Sequence, residues 1–512
     1  MTFFNQAQAP REVELKLEVE PRSLGRIREH PLLRAAADKA RPAQILHSVY
    51  FDTDDQALRA SGVSLRIRDD GERRIQTIKV SRNRTDVFLD RDEWEREVEG
   101  HEPDLSQEDG AALKALLDED VVERLRPVFD VRVQRNELQV EWGASMIDVA
   151  LDRGRIEAAE SQVSFAEVEL ELKRGATADL FRLALELSDA APLRLSFKAK
   201  SQRGYEAVGS ELPKRVKAEP VELGRGLPAG AAFQIIGRSC LRHLVSNAAV
   251  LRAARDPDAV HQLRVALRRL RAAVTLFKDV VADGERDRIR SELKWMADQL
   301  GDARDLHVFI TTTLEPQREA KQGDPHFARL LEEYDTRRDR AYRKAQSAVS
   351  SRRFQRGVLA VAAWTEAGAW IANADEISVS ARNQPIELHA KHELAQRWKK
   401  IRKKARQLSE LDAEARHRVR IEIKKLRYAT EFFEGLFAGP KTNKRRRTAL
   451  ACLERLQELL GTLNDIAVGR NMTHSAEAGA SADVMVQEEH ILAEAEFEYR
   501  KFRDMKPFWQ GK

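Results

Sequence analysis

REVELKLEVE, residues 11–20, alternates with period two. Glu12, Glu14, Lys16 and Glu18 fall on one side of an extended chain, and Val13, Leu15, Leu17 and Val19 on the other. A solvated strand face needs no such order. Further along, Arg66 and Arg68 oppose Leu65 and Ile67, and Arg91, Glu93, Glu95 and Glu97 share a face. Glu167, Glu169, Glu171 and Lys173 line one face against Ala166, Val168, Leu170 and Leu172, while Lys198 and Lys200 alternate with Leu195, Phe197 and Ala199. Period-two runs at 12–19, 63–68, 75–80, 91–98, 127–135, 146–152, 165–173 and 194–200 predict about eight strands, with helical stretches at 111–120 and 178–189. Few helices among so many strands point to a barrel, whose charged faces lie either in water or in the lumen. Carboxylates gather on some strands and Arg or Lys on others. Inside a lumen such rows are costly unless a ligand neutralises them, and a polyanion held with divalent cations does so. Lys and Arg take phosphate oxygens, and carboxylates take hard cations such as Mg²⁺.

At 512 residues the chain is too long for one ordinary domain. A third of it is charged and its mean hydropathy is −0.53, which predicts a soluble protein. The opening MTFFNQAQAP has neither the basic nor the apolar segment of a secretory signal. The apolar run from Gly357 carries Glu366 in its middle and reads as a buried helix, so no membrane association is expected. Cys240 and Cys452 form neither a disulfide framework nor a metal set, which fits a reducing cytoplasm. Residues 1–210 hold 32 basic against 41 acidic residues, net −9; the remainder holds 56 against 42, net +14. One half is acidic and the other basic.

The Pro-, Gly- and charge-rich stretch 209–230 has linker composition. The boundaries expected are a first domain at 1–210, a linker at 211–229 and a second domain at 230–507. Beyond Gly230 apolar residues recur at three and four spacing, the pattern of an all-α domain. It contains a repeat. HQLRVALRRLRAAVTLF from His261 matches HRVRIEIKKLRYATEFF from His417, and LGDARD at 300–305 matches LGTLND at 460–465. Two helical bundles of similar plan are the simplest reading. On a helix at about 100° per residue, His261, Arg264, Arg268 and Arg271 form a stripe, repeated by His417, Arg420, Lys424 and Arg427. Lys425 repeats Arg269, and RWKKIRKKAR at 397–406 adds charge upstream. The recurrence points to a polyanion site with many phosphate contacts. The stripes lack interleaved aromatics for base stacking, so nucleic acid is not the expected ligand.

The first half resembles the CYTH domains, the triphosphate tunnel metalloenzymes. The resemblance rests on EVELK at 12–16, LRIR at 65–68, TIK at 77–79, RDEWE at 91–95, PVFDVRVQR ending at Arg135, DVALDRG at 148–154, EVELEL at 167–172 and KSQRGY at 200–205. It is most similar to bacterial inorganic triphosphatases of that family. The resemblance implies an α+β multidomain protein whose N-terminal part is an eight-stranded antiparallel barrel with a polar tunnel. It implies that Glu12, Glu14, Glu167, Glu169 and Glu171 bind the metal, Mg²⁺ or Mn²⁺. Lys16, Arg66, Arg68, Lys79, Arg91, Arg135, Lys200 and Arg203 would then grip the triphosphate. Glu12, Glu14, Lys16 and Glu93 are the implied catalytic set, in which one metal bridges phosphate oxygens and a second lowers the pKa of the attacking water. Ala199 departs from the pattern, standing where relatives often carry Ser.

The second half resembles the CHAD domain through VHQLRVALRRLR, RHRVRIEIKKLRY and the two LG segments. That family is associated with inorganic polyphosphate, often on polyphosphate granules. The implied contacts are His261, Arg264, Arg268, Arg271, His417, Arg420, Lys424, Lys425 and Arg427, although the two histidines could equally buttress helix packing. The expected protein is a cytoplasmic hydrolase of inorganic triphosphate that also binds inorganic polyphosphate. Its rivals are a non-catalytic polyphosphate-targeting protein and an enzyme acting on thiamine triphosphate or ATP.

Overall fold

The computed structural model describes residues 13–37, 41–80, 92–106, 119–158, 161–209, 213–473 and 482–510. Glu12, Arg91 and most of the expected helix at 111–120 lie outside the described residues. Nine strands form one antiparallel sheet: β1 (Val13–Glu18), β2 (Gln44–Asp52), β3 (Val63–Asp69), β4 (Arg74–Val80), β5 (Asp92–Val98), β6 (Arg126–Trp142), β7 (Ser145–Ala158), β8 (Ser161–Arg174) and β9 (Arg194–Ser196). Their order is β5-β4-β3-β2-β6-β7-β8-β1-β9, so β5 and β9 stand at the two ends. The expectation of eight strands missed β2. It also ran the last strand to 200, whereas β9 ends at Ser196 and Lys200 opens a helix.

The sheet curls because its two faces differ in solvent preference. On the outer face Leu15, Leu17, Val168, Leu170, Ile147, Val149 and Leu151 are buried in a core that includes Leu180, Phe181, Leu183 and Leu187 of helix α1 (Thr177–Leu187). Each such side chain contributes roughly 1.5–3 kcal/mol. The outer face is therefore the greasy one, and the charged residues between them are turned inward. The register places them opposite each other: Lys16 pairs across from Glu169 and Glu18 from Glu167, Asp152 from Glu167, Arg135 from Asp152, and Lys79 from Glu93.

Helix α2 (Lys200–Val208) closes against β6 and β7. Tyr205 donates to the buried Asp52 Oδ2 at 2.6 Å and packs edge-on to Phe129, ring centroids 5.2 Å apart. Gly204 lies directly on the Phe129 ring, where any Cβ would collide. Gly154 of β7 likewise faces Phe165, its partner across the strands. The glycines of the DRG and RGY motifs are thus packing requirements. Ala199 is the N-cap of α2 and makes no side-chain cap.

The second half begins with α3 (Ala229–Ala253), α4 (Pro257–Leu276), α5 (Arg286–Gln299), α6 (Gly301–Phe309), α7 (Pro325–Ser350) and α8 (Arg352–Ala367). It continues with α9 (Ile386–Lys404), α10 (Ala413–Phe432), α11 (Pro440–Thr473) and α12 (Ala482–Asp504). The repeat is expressed in equivalent helices. Asp256 caps α4 through Asp258 N and Ala259 N, and Asp412 caps α10 through Ala415 N. Phe277 and Phe433, which follow α4 and α10, meet at 6.0 Å, with His389 stacked on Phe277 at 4.5 Å. Glu366 lies in the buried helix α8 as expected, held by two 2.7 Å hydrogen bonds from Arg238. Among the described residues no helix is long and apolar enough to cross a membrane. The halves dock through α1 and α8, where Arg356 donates to Leu185 O, Ser188 Oγ and Asp189 Oδ1 at 2.8–3.0 Å.

Two substitutions check the packing of α2. Gly204→Ala is expected to destabilise the protein by about 1–3 kcal/mol through overpacking on Phe129. Ala199→Ser is expected to stabilise it by about 0.5–1 kcal/mol by supplying the missing cap. Denaturant melts of both variants measure the signs.

Candidate functional site

The inward face of the sheet encloses a cavity of about 630 Å³. It is lined from β1 by Glu14 and Lys16, from β3 by Arg66 and Arg68, from β4 by Lys79, and from β5 by Glu93 and Glu95. Arg135 of β6, Asp148 of β7, Glu169 and Glu171 of β8 and Lys200 of α2 complete the polar wall. The strand alternation that puts the leucines outside puts these groups together. Glu167 and Arg203, also expected here, lie at its margin: Arg203 donates to Glu18 Oε1 at 2.8 Å and to Glu167 Oε2 at 3.4 Å. Because Lys200 and Arg203 are three apart on one helix, both reach the β1–β8 edge.

Charges of opposite sign are interleaved at hydrogen-bond distance. Lys16 Nζ lies 2.7 Å from Glu169 Oε1 and 3.3 Å from Glu14 Oε1. Arg135 forms a two-pronged pair with Asp152, 2.9 and 2.7 Å, and also donates to Glu169 Oε2. Lys200 Nζ sits 2.9 Å from Asp152 Oδ2 and 2.7 Å from Glu169 Oε1, and contacts Glu167 Oε1 without a well-directed hydrogen bond. Lys79 pairs with Glu93 at 2.6 Å, and Glu95 receives Arg68 at 3.4 Å and Thr77 Oγ1 at 3.1 Å.

The electrostatics follow from this layout. Burial alone would raise the Glu169 carboxyl, but Lys16, Lys200 and Arg135 outweigh it and hold it well below the usual range. Burial wins at Glu14, whose pKa is raised despite Lys16. Burial works against the Lys200 ammonium, yet Asp152, Glu167 and Glu169 hold its pKa well above normal. At Lys79 burial and then Arg66 prevail, and its pKa falls.

Asp152, Glu167 and Glu169 each offer an oxygen within 4.8 Å of the others. Three hard oxygen donors, all buried, suit Mg²⁺ or Mn²⁺. Asp152 was not among the residues expected to bind metal. Its signal was present in DVALDRG, since Asp148, Ala150 and Asp152 share a face by alternation. Tyr50, also on the cavity wall, was missed with β2.

A second concentration of charge lies on the helical half. Arg264 and Arg268 of α4 and Arg420 and Arg427 of α10 all come close enough to Lys424 of α10 to repel it, so the two stripes meet in one basic patch. The LG segments are its bed. A Cβ at Gly301 would stand 3.4 Å from the Arg264 guanidinium, and one at Gly461 2.9 Å from that of Arg420. His417 Nδ1 is 2.9 Å from Asn464 Oδ1 of LGTLND, and Arg264 is 3.8 Å from Asp305 of LGDARD.

Comparison with known proteins matches residues 10–205 to the CYTH domain and residues 235–474 to the CHAD domain. The chain is a CYTH–CHAD two-domain protein. Over 195 residues it is 29% identical to an inorganic triphosphatase of Haemophilus influenzae, a match covering 38% of this chain and 54% of that relative's length. Among solved structures, a CHAD domain from the plant Ricinus communis is 25% identical, covering 58% of this chain and 96% of its own, with a TM-score of 0.44. A Hippeastrum protein, described as a putative adenylyl cyclase with a dominant triphosphatase activity, is 18% identical, covers 38% and 95%, and has a TM-score of 0.27.

In the CHAD domain not every expected contact joins the patch. Lys425 turns to Glu422 at 3.0 Å, as does Lys400 of the 397–406 run at 3.2 Å. Within that run Arg397 and Trp398 are buried. Arg271 is exposed, and Arg427 also faces Glu431 and Glu454. Two residues that the stripes did not predict extend the patch: Arg304, beside His261 and His307, and Arg338, beside His307. His261 is half-buried, and burial with Arg304 and Arg268 pushes its pKa down to about 4.

Burial, together with Arg420, Arg268, Arg427 and Arg264, pushes Lys424 down to about 7. An unfolded lysine titrates near 10.4. Between those values the folded state holds fewer protons than the unfolded one, so stability rises with pH across that window. The Lys424→Met variant is expected to lack this rise; denaturant melts of both proteins from pH 7 to pH 9.5 check it.

Proposed function

We infer that the CYTH domain hydrolyses inorganic triphosphate with a divalent cation, and that the CHAD domain binds inorganic polyphosphate. One observation carries the first part: cationic and carboxylate side chains from seven strands and one helix converge on a single cavity. Lys16, Arg66, Arg68, Lys79, Arg135 and Lys200 are the grips for phosphate oxygens, joined by Arg203 and Arg91. Asp152, Glu167 and Glu169 would hold Mg²⁺ or Mn²⁺, with Glu12, Glu14 and Glu171 as further donors. When bound, the cation supplies charge stabilisation at phosphate oxygens and a water of lowered pKa. Glu14, whose pKa is raised, and Glu93, tied to Lys79, would complete the catalytic set, and Lys16 would orient that water. The similarity to an inorganic triphosphatase and the absence of any base or thiazole pocket signature in the sequence favour tripolyphosphate over ATP or thiamine triphosphate.

For the CHAD domain the support is the single patch made by both repeats. Cations from α4 and α10 that repel one another are a ready site for a polyanion, and the Gly301 and Gly461 beds fix Arg264 and Arg420 in it. We place the protein in the cytoplasm at polyphosphate, with residues 1–210 and 230–507 as working units joined by 211–229.

Phosphate release from tripolyphosphate, ATP, thiamine triphosphate and long-chain polyphosphate with Mg²⁺ or Mn²⁺ tests the enzyme reading. Tripolyphosphate is expected to be the best substrate, and no release from any of the four defeats it. Glu14→Gln and Asp152→Asn are each expected to lower turnover at least about a hundredfold with the circular dichroism spectrum unchanged.

Retention of the full-length protein on immobilised polyphosphate is expected to fall steeply with salt. The double variant Arg264→Ala, Arg420→Ala should lose retention while keeping triphosphatase turnover. Equal retention on duplex DNA would remove the support for polyphosphate.

A further inference from the structure

Lys200 occupies an unusual place among the tunnel cations. Its ammonium contacts one oxygen from each of Asp152, Glu167 and Glu169, at 2.9 Å from the first and 2.7 Å from the last. These are the three groups whose oxygens lie within 4.8 Å of one another. Nζ therefore sits in the middle of the donor set best suited to a divalent cation. Such a cation binds carboxylate oxygens at about 2.0–2.1 Å for Mg²⁺, so it and the ammonium cannot share that position. Lys16 and Arg135 are placed differently: Lys16 bridges Glu14 and Glu169, and Arg135 holds Asp152 and Glu169 from the β6 side. Both can stay while the centre of the cluster changes hands.

We propose that the Lys200 ammonium is the resident counter-ion of the Asp152–Glu167–Glu169 cluster, and that a divalent cation enters as Lys200 transfers to an anionic phosphate in the cavity. The proposal rests on the metal-dependent reading of the tunnel and adds to it an order of loading. Lys200 is the first residue of α2 and lines the cavity, so rotation of its four-carbon stem, with no helix movement, carries Nζ from the carboxylates to the lumen. There a phosphate oxygen replaces the oxygens it leaves. The exchange conserves charge pairing on both sides: the cation neutralises the vacated carboxylates, and the ammonium neutralises part of the incoming polyanion. Without a polyphosphate in the cavity, Lys200 has no alternative anion and competes with the metal. Metal and substrate affinities are then coupled, each raising the other by the same factor.

The test is metal binding without any phosphate compound, read from the loss of the free Mn²⁺ electron paramagnetic resonance signal on titrating the full-length chain. Wild type is expected to bind weakly and Lys200→Met at least about tenfold more tightly, while Lys200→Arg, which keeps a cation on the cluster, remains weak. Lys79→Gln removes a tunnel cation that pairs with Glu93 instead, and is expected to stay within about twofold of wild type. Mn²⁺ should also raise the thermal midpoint of Lys200→Met more than that of wild type, a readout that survives partial destabilisation of the variant. Equal affinity in wild type and Lys200→Met, or an equal gain in Lys79→Gln, overturns the exchange while leaving hydrolysis in place. Absence of Mn²⁺ binding by every form, together with no phosphate release by wild type, overturns both the exchange and the metal-dependent reading.

Discussion

The compensation of charge around Glu169 is the interaction on which the tunnel depends. A carboxylate taken out of water without partners costs several kcal/mol even after relaxation, and here Asp152, Glu167 and Glu169 are all buried on adjacent strands. What makes the arrangement stable is that each carboxylate meets a cation: Lys16, Lys200 and Arg135 at Glu169, Arg135 and Lys200 at Asp152, Lys200 and Arg203 at Glu167. The register also sets carboxylate against carboxylate, Glu18 and Asp152 each across from Glu167, so the charged face can turn inward only because cations from β1, β6 and α2 reach between them. The leucines of β1 and β8 then supply the outward driving force that an ordinary barrel obtains from its interior. A network of this kind is also sensitive to composition, since removal of any cation exposes two or three carboxylates to one another.

The helical domain solves the opposite problem with different means. Its patch gathers Arg264, Arg268, Arg420, Lys424 and Arg427 with few carboxylates among them, and burial together with these guanidinium groups depresses Lys424. Long side chains can bear this because their heads remain partly hydrated while the stems pack. The two glycines beneath Arg264 and Arg420 let those guanidinium groups lie close to a helix. The tunnel carboxylates are thus paired with cations beside them, whereas the patch is a surplus of positive charge. This division is the acidic and basic split of the chain, net −9 and +14, expressed as two kinds of site.

Much of this was legible in the sequence, because strict alternation of charge with aliphatic residues has few physical explanations. Glu14, Lys16, Arg66, Arg68, Lys79, Glu93, Arg135, Glu169, Glu171 and Lys200 do line one cavity. The failures have specific causes. Strand β2 was overlooked since the residue it brings to the cavity wall, Tyr50, carries no charge. Lys200 falls at the end of the period-two run 194–200, which spans β9, a short connection and the first residue of α2, so alternation alone extends the strand too far. Asp152 is harder to read from sequence, because Ala150 separates it from Asp148 on their shared face, whereas Glu167, Glu169 and Glu171 form an unbroken row. Lys425 matched the repeat by position, yet at i+3 from Glu422 it faces that carboxylate, a contact that sequence spacing alone could have suggested.

The charge balance of the tunnel is not closed within the first domain. Arg252, in the last turn of α3 and half-buried, lies near Glu18, Glu20 and Arg194; desolvation and Arg194 push it down to about 10. Glu18 receives Arg203 and faces Arg194, and these cations with Arg252 outweigh its burial and keep its pKa low. Arg203 in turn touches Glu167 of the carboxylate cluster. A helix of the basic domain therefore places a cation near Glu18, which is joined to Lys200 through three ion pairs, Glu18–Arg203, Arg203–Glu167 and Glu167–Lys200. Since α1 also docks on α8 through the Arg356 contacts, this cation is held in place by packing as well as by attraction. Arg252 thus adds counter-charge from the helical half at Glu18, on the margin of the tunnel's charge network.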